Sequence, residues 1–304
     1  MSIYLKILGC GSALPTVRRS ATAQILKNYE KLFLIDCAEN TQVQLRKYSV
    51  KFAVIDNIFI SHLHGDHFFG LFGLLSSFSL MGRTKTLNIF AHDNLRKMLQ
   101  SDCSPVKLDE LDFDINFVPL NFDKPNQIFE NKHLTVTSFP LRHRIPCCGF
   151  LFREKPSPKN IIKEAVLKYN LSIASIVKIK NGEDYITPQG VVIPNNQLTI
   201  EPVPPACYAF VSDTLPLDYV SQVVKDVDLL YHEATYDNSL FARSKQTFHT
   251  VAADAAKIAL NANVGKLLLG HYSNRYKDVS IIENQAREIF PQSFAVQDGM
   301  EFLI

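Results

Sequence analysis

NIFISHLHGDHFFG, residues 57–70, is the stretch on which the reading of this chain turns. A short apolar run reads as a β-strand, and behind it His62, His64, Asp66 and His67 fall in the order His-x-His-x-Asp-His. Alternating positions let His62 and His64 project to one side of a chain leaving a strand. Gly65 makes the following turn sterically cheap, so Asp66 and His67 return to the same place. Four ligand-type side chains so close together, none a cysteine, predict two metal ions held by nitrogen and oxygen. Imidazole with carboxylate suits zinc, manganese or iron, with zinc the default.

Outward from this motif, short apolar strands recur at residues 3–8, 31–35, 57–60, 87–91, 113–118 and 134–139, then at 208–212, 229–233, 266–269 and 301–304. Helical patterns at 40–47, 68–80, 93–100, 251–261 and near 281–290 come between them, with Asp93 the expected N-cap of the third. This mixture predicts an α/β protein with buried sheets and outer helices. Residues 153–205 depart from the rhythm. They run through REKPSPKN, an amphipathic stretch carrying Lys163, Lys168, Lys178 and Lys180, and the proline-rich IEPVPP. An insertion of this length with its own secondary structure is more often functional than idle.

Composition narrows the class. A chain of 304 residues, 46% hydrophobic and 20% charged, is an ordinary globular protein with ample core. A net charge of +2 announces no overall nucleic-acid affinity, so any such binding must come from a local patch. The six cysteines form no C-x-x-C pair, which predicts reduced thiols and a cytoplasmic protein. The opening MSIYLKILGCGSALP reads as a first strand rather than a signal peptide, and no apolar run is long enough to span a membrane.

Two metals sharing ligands need more protein groups than one motif supplies. His143 in FPLRHRIPCCGF, Asp213 in YAFVSDT and His271 in KLLLGHYSNRY each stand just beyond a strand, and are the candidates. His232 alternates opposite to Glu233 and reads as a core histidine, while His92 and His133 match no motif.

These blocks carry a resemblance. LFLIDCAENTQVQLRK, IDNIFISHLHGDHFFGLFGLL, SFPLRHRIPCCGFLFRE, FVSDT, LLYHEATY, FHTVAADAA and LLLGHYSNRY follow one another as in the metallo-β-lactamase-fold hydrolases. Within that superfamily the chain resembles the ribonuclease Z family, the endonucleases that mature tRNA 3′ ends. The resemblance implies a four-layered αβ/βα metallo-β-lactamase fold over residues 1–304, with residues 153–205 inserted as a tRNA-binding arm. It implies two zinc ions per subunit, with manganese as a substitute. His62, His64, His143 and Asp213 would hold one; Asp66, His67, Asp213 and His271 would hold the other, with Asp213 bridging. Asp66 would also accept a proton from the attacking water, and Glu233 with His249 would supply one to the leaving oxygen. Cleavage would leave a 3′-hydroxyl on the tRNA and a 5′-phosphate on the trailer. In the family the arm of one subunit serves the active site of another, which implies a homodimer.

Substrate contacts are expected at Arg19, Lys178, Lys180 and Arg275. The family loop Pro-x-Lys-x-Arg-Asn reads PTVRRS here, with Pro15 and Arg19 kept, Val17 replacing the lysine and Ser20 the asparagine. In the arm, Ile173–Ala174 stands where Gly-Pro is usual. Two readings compete: a hydrolase that keeps the fold and metals but acts on small phosphodiesters or esters, and a non-catalytic RNA-binding subunit. The lysine-bearing insertion argues against the first and the full ligand set against the second.

Overall fold

Alternation along the strands of the first half sorts side chains to two sides of one sheet. Ile3, Leu5, Ile7, Phe33, Phe59 and Phe90 enter one apolar cluster, whereas Leu8, Leu34, Ile58 and Ile89 enter another. The computed structural model, which describes residues 3–304, turns that pattern into two seven-stranded sheets. The first has the order Glu301–Leu303, Ile3–Gly9, Ala23–Asn28, Lys31–Ile35, Ile55–Phe59, Leu87–Ala91 and Ile115–Pro119. Its last four strands run parallel. The second has the order Ser293–Ala295, Lys266–Gly270, Leu229–Glu233, Cys207–Val211, Cys147–Glu154, Leu134–Leu141 and Asn126–Glu130. Its first four strands run parallel.

Aromatic rings fill the space between the sheets, as twenty-one phenylalanines and no tryptophan allow. Phe59 stacks on Phe90 at 4.4 Å and meets Phe150 edge-on at 5.4 Å. Phe33 meets Phe152 at 6.0 Å, and the Tyr208 hydroxyl donates to Gln24 Oε1. On the outer face of the first sheet, helix Gly70–Leu80 buries Leu71, Leu74, Leu75 and Phe78, one stripe of an amphipathic helix. On the other side, helix Ala252–Asn261 buries four alanines and Ile258 and packs on Lys266–Gly270. Helix, sheet, sheet and helix make the four layers expected.

The local differences have local causes. Helix Asp93–Gln100 is capped by His92, whose side chain accepts from the Asn94 amide at 3.1 Å; Asp93 is its first residue and pairs with Arg96 instead. The helix expected over 68–80 is broken at Phe69 into Gly65–Phe68 and Gly70–Leu80. A Cβ at Gly70 would lie 2.0 Å from the Ala38 carbonyl oxygen, so only glycine lets the helix start this close to the neighbouring loop. Strands Ala23–Asn28 and Cys147–Glu154 are buried on both faces and carry no alternation by which to be read. All six cysteines are free thiols, and no helix among the described residues is long and apolar enough to cross a membrane.

Residues Glu154–Pro205 form a second compact unit. Helices Lys163–Tyr169 and Ile173–Lys180 close over Ala165, Leu171, Ile179 and Leu198, and Ser172 caps the second helix by accepting from the Ser175 amide. Two short antiparallel ribbons complete it.

One buried charge holds the first sheet's turn in place. Arg83, its side chain 4% exposed, donates to the carbonyls of Ala53, Ile55, Lys85 and Thr86 and to Asp56 Oδ1 at 3.2 Å. Burial would raise the Asp56 pKa, but the Lys85 and Lys31 ammonium groups outweigh it and hold the carboxyl below its ordinary value. Arg83→Met leaves Asp56 to Lys31 and Lys85 but strands four carbonyls, and is expected to cost about 1–3 kcal/mol in urea denaturation. The Asp56 contribution is present above its unfolded pKa of about 3.9 and is lost as pH falls through the lower folded value. Asp56→Asn is accordingly expected to flatten the acid limb of stability against pH, measured by denaturation from pH 3 to pH 7.

Candidate metal centre

Five strands end at one edge of the molecule, and the predicted ligands stand just past them. The His-x-His-x-Asp-His motif leaves Ile55–Phe59, His143 follows Leu134–Leu141, Asp213 follows Cys207–Val211, Glu233 ends its own strand, and His271 follows Lys266–Gly270. The structure gathers them into two sets. His62, His64, His143 and Asp213 offer ligand atoms mutually within 4.8 Å, and so do Asp66, His67 and His271. Asp213 turns one oxygen to each set. Its Oδ2 lies 3.6 Å from His62 Nε2 and 3.7 Å from His143 Nε2; its Oδ1 lies 3.5 Å from His67 Nε2 and 3.1 Å from His271 Nε2. His64 Nδ1 is 3.1 Å from the Nε2 atoms of both His62 and His143. Asp66 Oδ2 is 3.6 Å from His67 Nε2 and 3.5 Å from His271 Nε2.

These spacings fit a metal. Ligand atoms bound tetrahedrally to zinc at about 2.0–2.2 Å lie about 3.3–3.6 Å apart. Asp213 Oδ1 is buried and has no hydrogen-bond partner among the described residues, as a carboxylate oxygen kept for a cation would be.

Four of the five histidines are aimed by a partner on Nδ1. His67 Nδ1 is 2.7 Å from Asp36 Oδ2, and His143 Nδ1 is 2.9 Å from the Phe248 carbonyl oxygen. Both partners accept only, so Nδ1 carries the proton and Nε2 is left bare towards the centre. His271 Nδ1 is 3.0 Å from Thr235 Oγ1, which donates to Glu233 Oε2 at 2.8 Å and so accepts from the ring. Ser61 Oγ stands likewise between His62 Nδ1 at 3.0 Å and Asp36 Oδ2 at 2.9 Å. Asp36, Ser61 and Thr235 thus fix ring tautomers although no sequence motif assigned them a role. Asp36 carries the one available signal, an acidic residue directly after an apolar strand.

Strain marks the same loops. Ala13, Asp36, Phe248 and His271 all have φ between 54° and 61°, a left-handed backbone that side chains with a Cβ rarely adopt. In each case the turn aims a site group: the Ala13 amide donates to Asp66 Oδ2 at 2.6 Å, and the other three supply the groups just described.

Electrostatics divide the two sets. Burial pushes the His62, His64 and His143 pKa values down, and the neighbouring imidazoles push the same way, which favours neutral rings able to ligate. Burial also opposes charge on His67, but Asp213, Asp66 and Asp36 outweigh it and lift the ring to about 10. That half of the centre has an excess of negative charge and calls for a cation.

Beside it, Glu233 is wholly buried and accepts from the amides of Thr214, Thr235 and Thr250, from the Thr235 hydroxyl, and from His249 Nδ1 at 3.0 Å. Burial disfavours charge on His249, yet Glu233 outweighs it and raises the ring's pKa. His249 lines the pocket over the centre together with His64, Asp66, His143, Asp213 and His271. His232 is buried on the same strand as Glu233, its Nδ1 on the Glu233 carbonyl, and His133 stacks on Tyr29 at 3.9 Å.

The expected substrate contacts fare differently. Arg19 donates to the carbonyls of Tyr276 at 2.7 Å and Lys277 at 3.1 Å and lies over the Tyr272 ring, so its guanidinium ties two loops together. Arg275 is exposed over the ring of Tyr236, which lines the pocket. Lys178 and Lys180 end helix Ile173–Lys180 in the second unit, Lys178 exposed.

Comparison with known proteins bears on the family of the chain. Residues 3–161 match the family model described as Anti-Pycsar protein Apyc1. The match ends before Asp213, Glu233, His249 and His271. Ribonuclease Z of Bacteroides thetaiotaomicron is 47% identical over 296 residues, covering 97% of this chain and 93% of its own. Among solved structures, the short form of human tRNase Z superposes with a TM-score of 0.69 at 25% identity, covering 99% of each chain. The metallo-β-lactamase-fold protein YhfI of Bacillus subtilis superposes with a TM-score of 0.68 at 16% identity over 99% of this chain and 98% of its own, a likeness of fold. Since the ribonuclease Z relatives run through every block that builds the centre, this chain belongs to the ribonuclease Z family.

Proposed function

We propose that the protein is a zinc-dependent endoribonuclease that removes the 3′ trailer from precursor tRNA in the cytoplasm. The observation that carries this reading is Asp213 turning one carboxylate oxygen to each of two ligand sets. His62, His64, His143 and Asp213 would hold one zinc, and Asp66, His67, His271 and Asp213 the other, with manganese able to substitute. Two such ions would supply Lewis acidity, which lowers the pKa of bound water and offsets the charge of a phosphodiester.

The chain's own residues do the rest. Asp66, its Oδ2 steadied by the Ala13 amide, accepts the proton of the attacking water. Attack at phosphorus breaks the bond to the ribose 3′-oxygen of the tRNA body, so the phosphate stays on the trailer as its 5′-phosphate. His249 gives that 3′-oxygen its proton. Glu233, fixed by its other hydrogen bonds, holds His249 by Nδ1, which leaves Nε2 for the transfer. Arg275, over Tyr236 at the pocket wall, is placed to meet RNA phosphate, whereas Arg19 shapes the loop before the centre. Residues 154–205 set six lysines against five acidic residues, with Lys159 paired to Glu201, so contact with the tRNA backbone falls to individual lysines such as Lys163, Lys168 and Lys178, and the working form is a homodimer.

Two experiments test this reading. Asp213→Ala is expected to lower bound zinc from two ions per chain to one or none and to abolish cleavage of a 3′-extended tRNA. His249→Ala should keep both ions and lose about 10²–10⁴-fold in kcat. Metal analysis beside single-turnover cleavage checks both, and full zinc with full activity in Asp213→Ala would rule the site out. Deletion of residues 155–204 is expected to abolish precursor-tRNA cleavage while sparing a small phosphodiester. Cleavage by the intact chain should also weaken steeply with salt, as phosphate contacts require.

A further inference from the structure

One wall of the pocket is not needed to hold metal. Phe69 lies there, 52% exposed, three residues after Asp66. Its ring is fixed from beneath: a Cβ on Gly65 would come within 2.3 Å of Phe69 Cε2, so the ring rests directly on the Gly65 backbone. The buried Phe68 ring meets it at 4.9 Å and 64°. Leu14, 63% exposed, and Pro15 line the same pocket, on the loop that the Ala13 amide anchors to Asp66. A single exposed phenylalanine is ordinary. A rigid one beside a proposed metal ligand, with a free face in a polar pocket, has a ligand class of its own.

Arg144 belongs to the same lining and follows the proposed ligand His143 directly. It is exposed, and its Nη2 donates to the Gln246 carbonyl at 2.9 Å, which orients the guanidinium and leaves most of its five N–H donors for another acceptor. A fixed aromatic face with a held guanidinium in one pocket matches the repeating unit of a single-stranded nucleic acid: a base to stack and a phosphate to bind.

We propose that Phe69 and Arg144 form a nucleotide subsite beside the metal centre. Phe69 stacks on a base flanking the scissile phosphate, and Arg144 binds a neighbouring phosphate. This rests on the RNA substrate argued above and adds where the strand is gripped at the cut. Because the ring is already immobilised, stacking on it orders little further protein, and any base can be accepted.

The test is a cycle between protein and substrate, using the full-length zinc-loaded protein. A 3′-extended tRNA is compared with versions made abasic at the nucleotide on either side of the cut. For the wild type, one abasic substrate should lose about 5- to 100-fold in kcat/KM. Phe69→Ala should lose a similar factor on the normal substrate and little more on the abasic one, while Phe69→Trp keeps the base dependence. Arg144→Ala should raise KM, and an uncharged methylphosphonate at the adjacent linkage should erase that difference. Zinc content and the thermal midpoint, unchanged in each variant, separate these effects from misfolding. Phe69→Ala retaining the wild-type penalty for the abasic substrate would overturn the subsite alone. A wild type that cuts no precursor tRNA overturns the RNA reading and the subsite with it.

Discussion

A centre whose ligands come from two sheets depends on those sheets being tied together at the same edge, and Ser61 makes one of the ties closest to the ligands. It follows the strand Ile55–Phe59, directly before His62. Its hydroxyl lies 3.0 Å from Oγ of Ser212, just past the strand Cys207–Val211, and its carbonyl accepts from the amide of Cys148, in the strand Cys147–Glu154, at 3.1 Å. Asp36 takes up the Ser61 amide and hydroxyl, and with its other hydrogen bond aims His67. One buried carboxylate and one hydroxyl thereby link the two sheets and orient two rings together. Placement errors of an ångström are costly in a reacting site, and this knot is built from groups too buried to shift.

The second constraint is charge. Asp36, Asp213 and Glu233 are all buried, and Asp66 shares His67 with Asp36 and Asp213. Buried carboxylates are kept only where cations or hydrogen-bond donors answer them. Glu233 is answered by amides, a hydroxyl and His249, and Asp36 by Ser61 and His67. Asp213 Oδ1 and the crowd of acids around His67 are not fully answered by protein, which is why the donor spacings and the electrostatics point to the same place.

Much of this was legible in the chain. Strands with one face to each core declared themselves by alternation, and the ligands by local spacing or by standing alone beyond a strand. Strands Ala23–Asn28 and Cys147–Glu154 were not legible, because burial on both sides removes the period. Asp36, Ser61 and Thr235 were silent for another reason. Their meaning lies in partners such as His67 or Ser212, which no local pattern connects to them. Arg19 illustrates the converse: the resemblance of PTVRRS to a family loop implied a substrate contact, yet the guanidinium is held by the backbone carbonyls of Tyr276 and Lys277. Phe69 carries no signal of its own in the sequence, because one aromatic in the apolar run FFGLFGLL does not announce that its ring faces a pocket.

The left-handed residue Phe248 has a consequence for how such a protein can change. Its carbonyl holds His143, and the next residue is His249. One peptide unit therefore sets the pose of a metal-facing ring and of the ring that faces the leaving group. Sequence drift in the turn at 247–250 cannot tune one without disturbing the other.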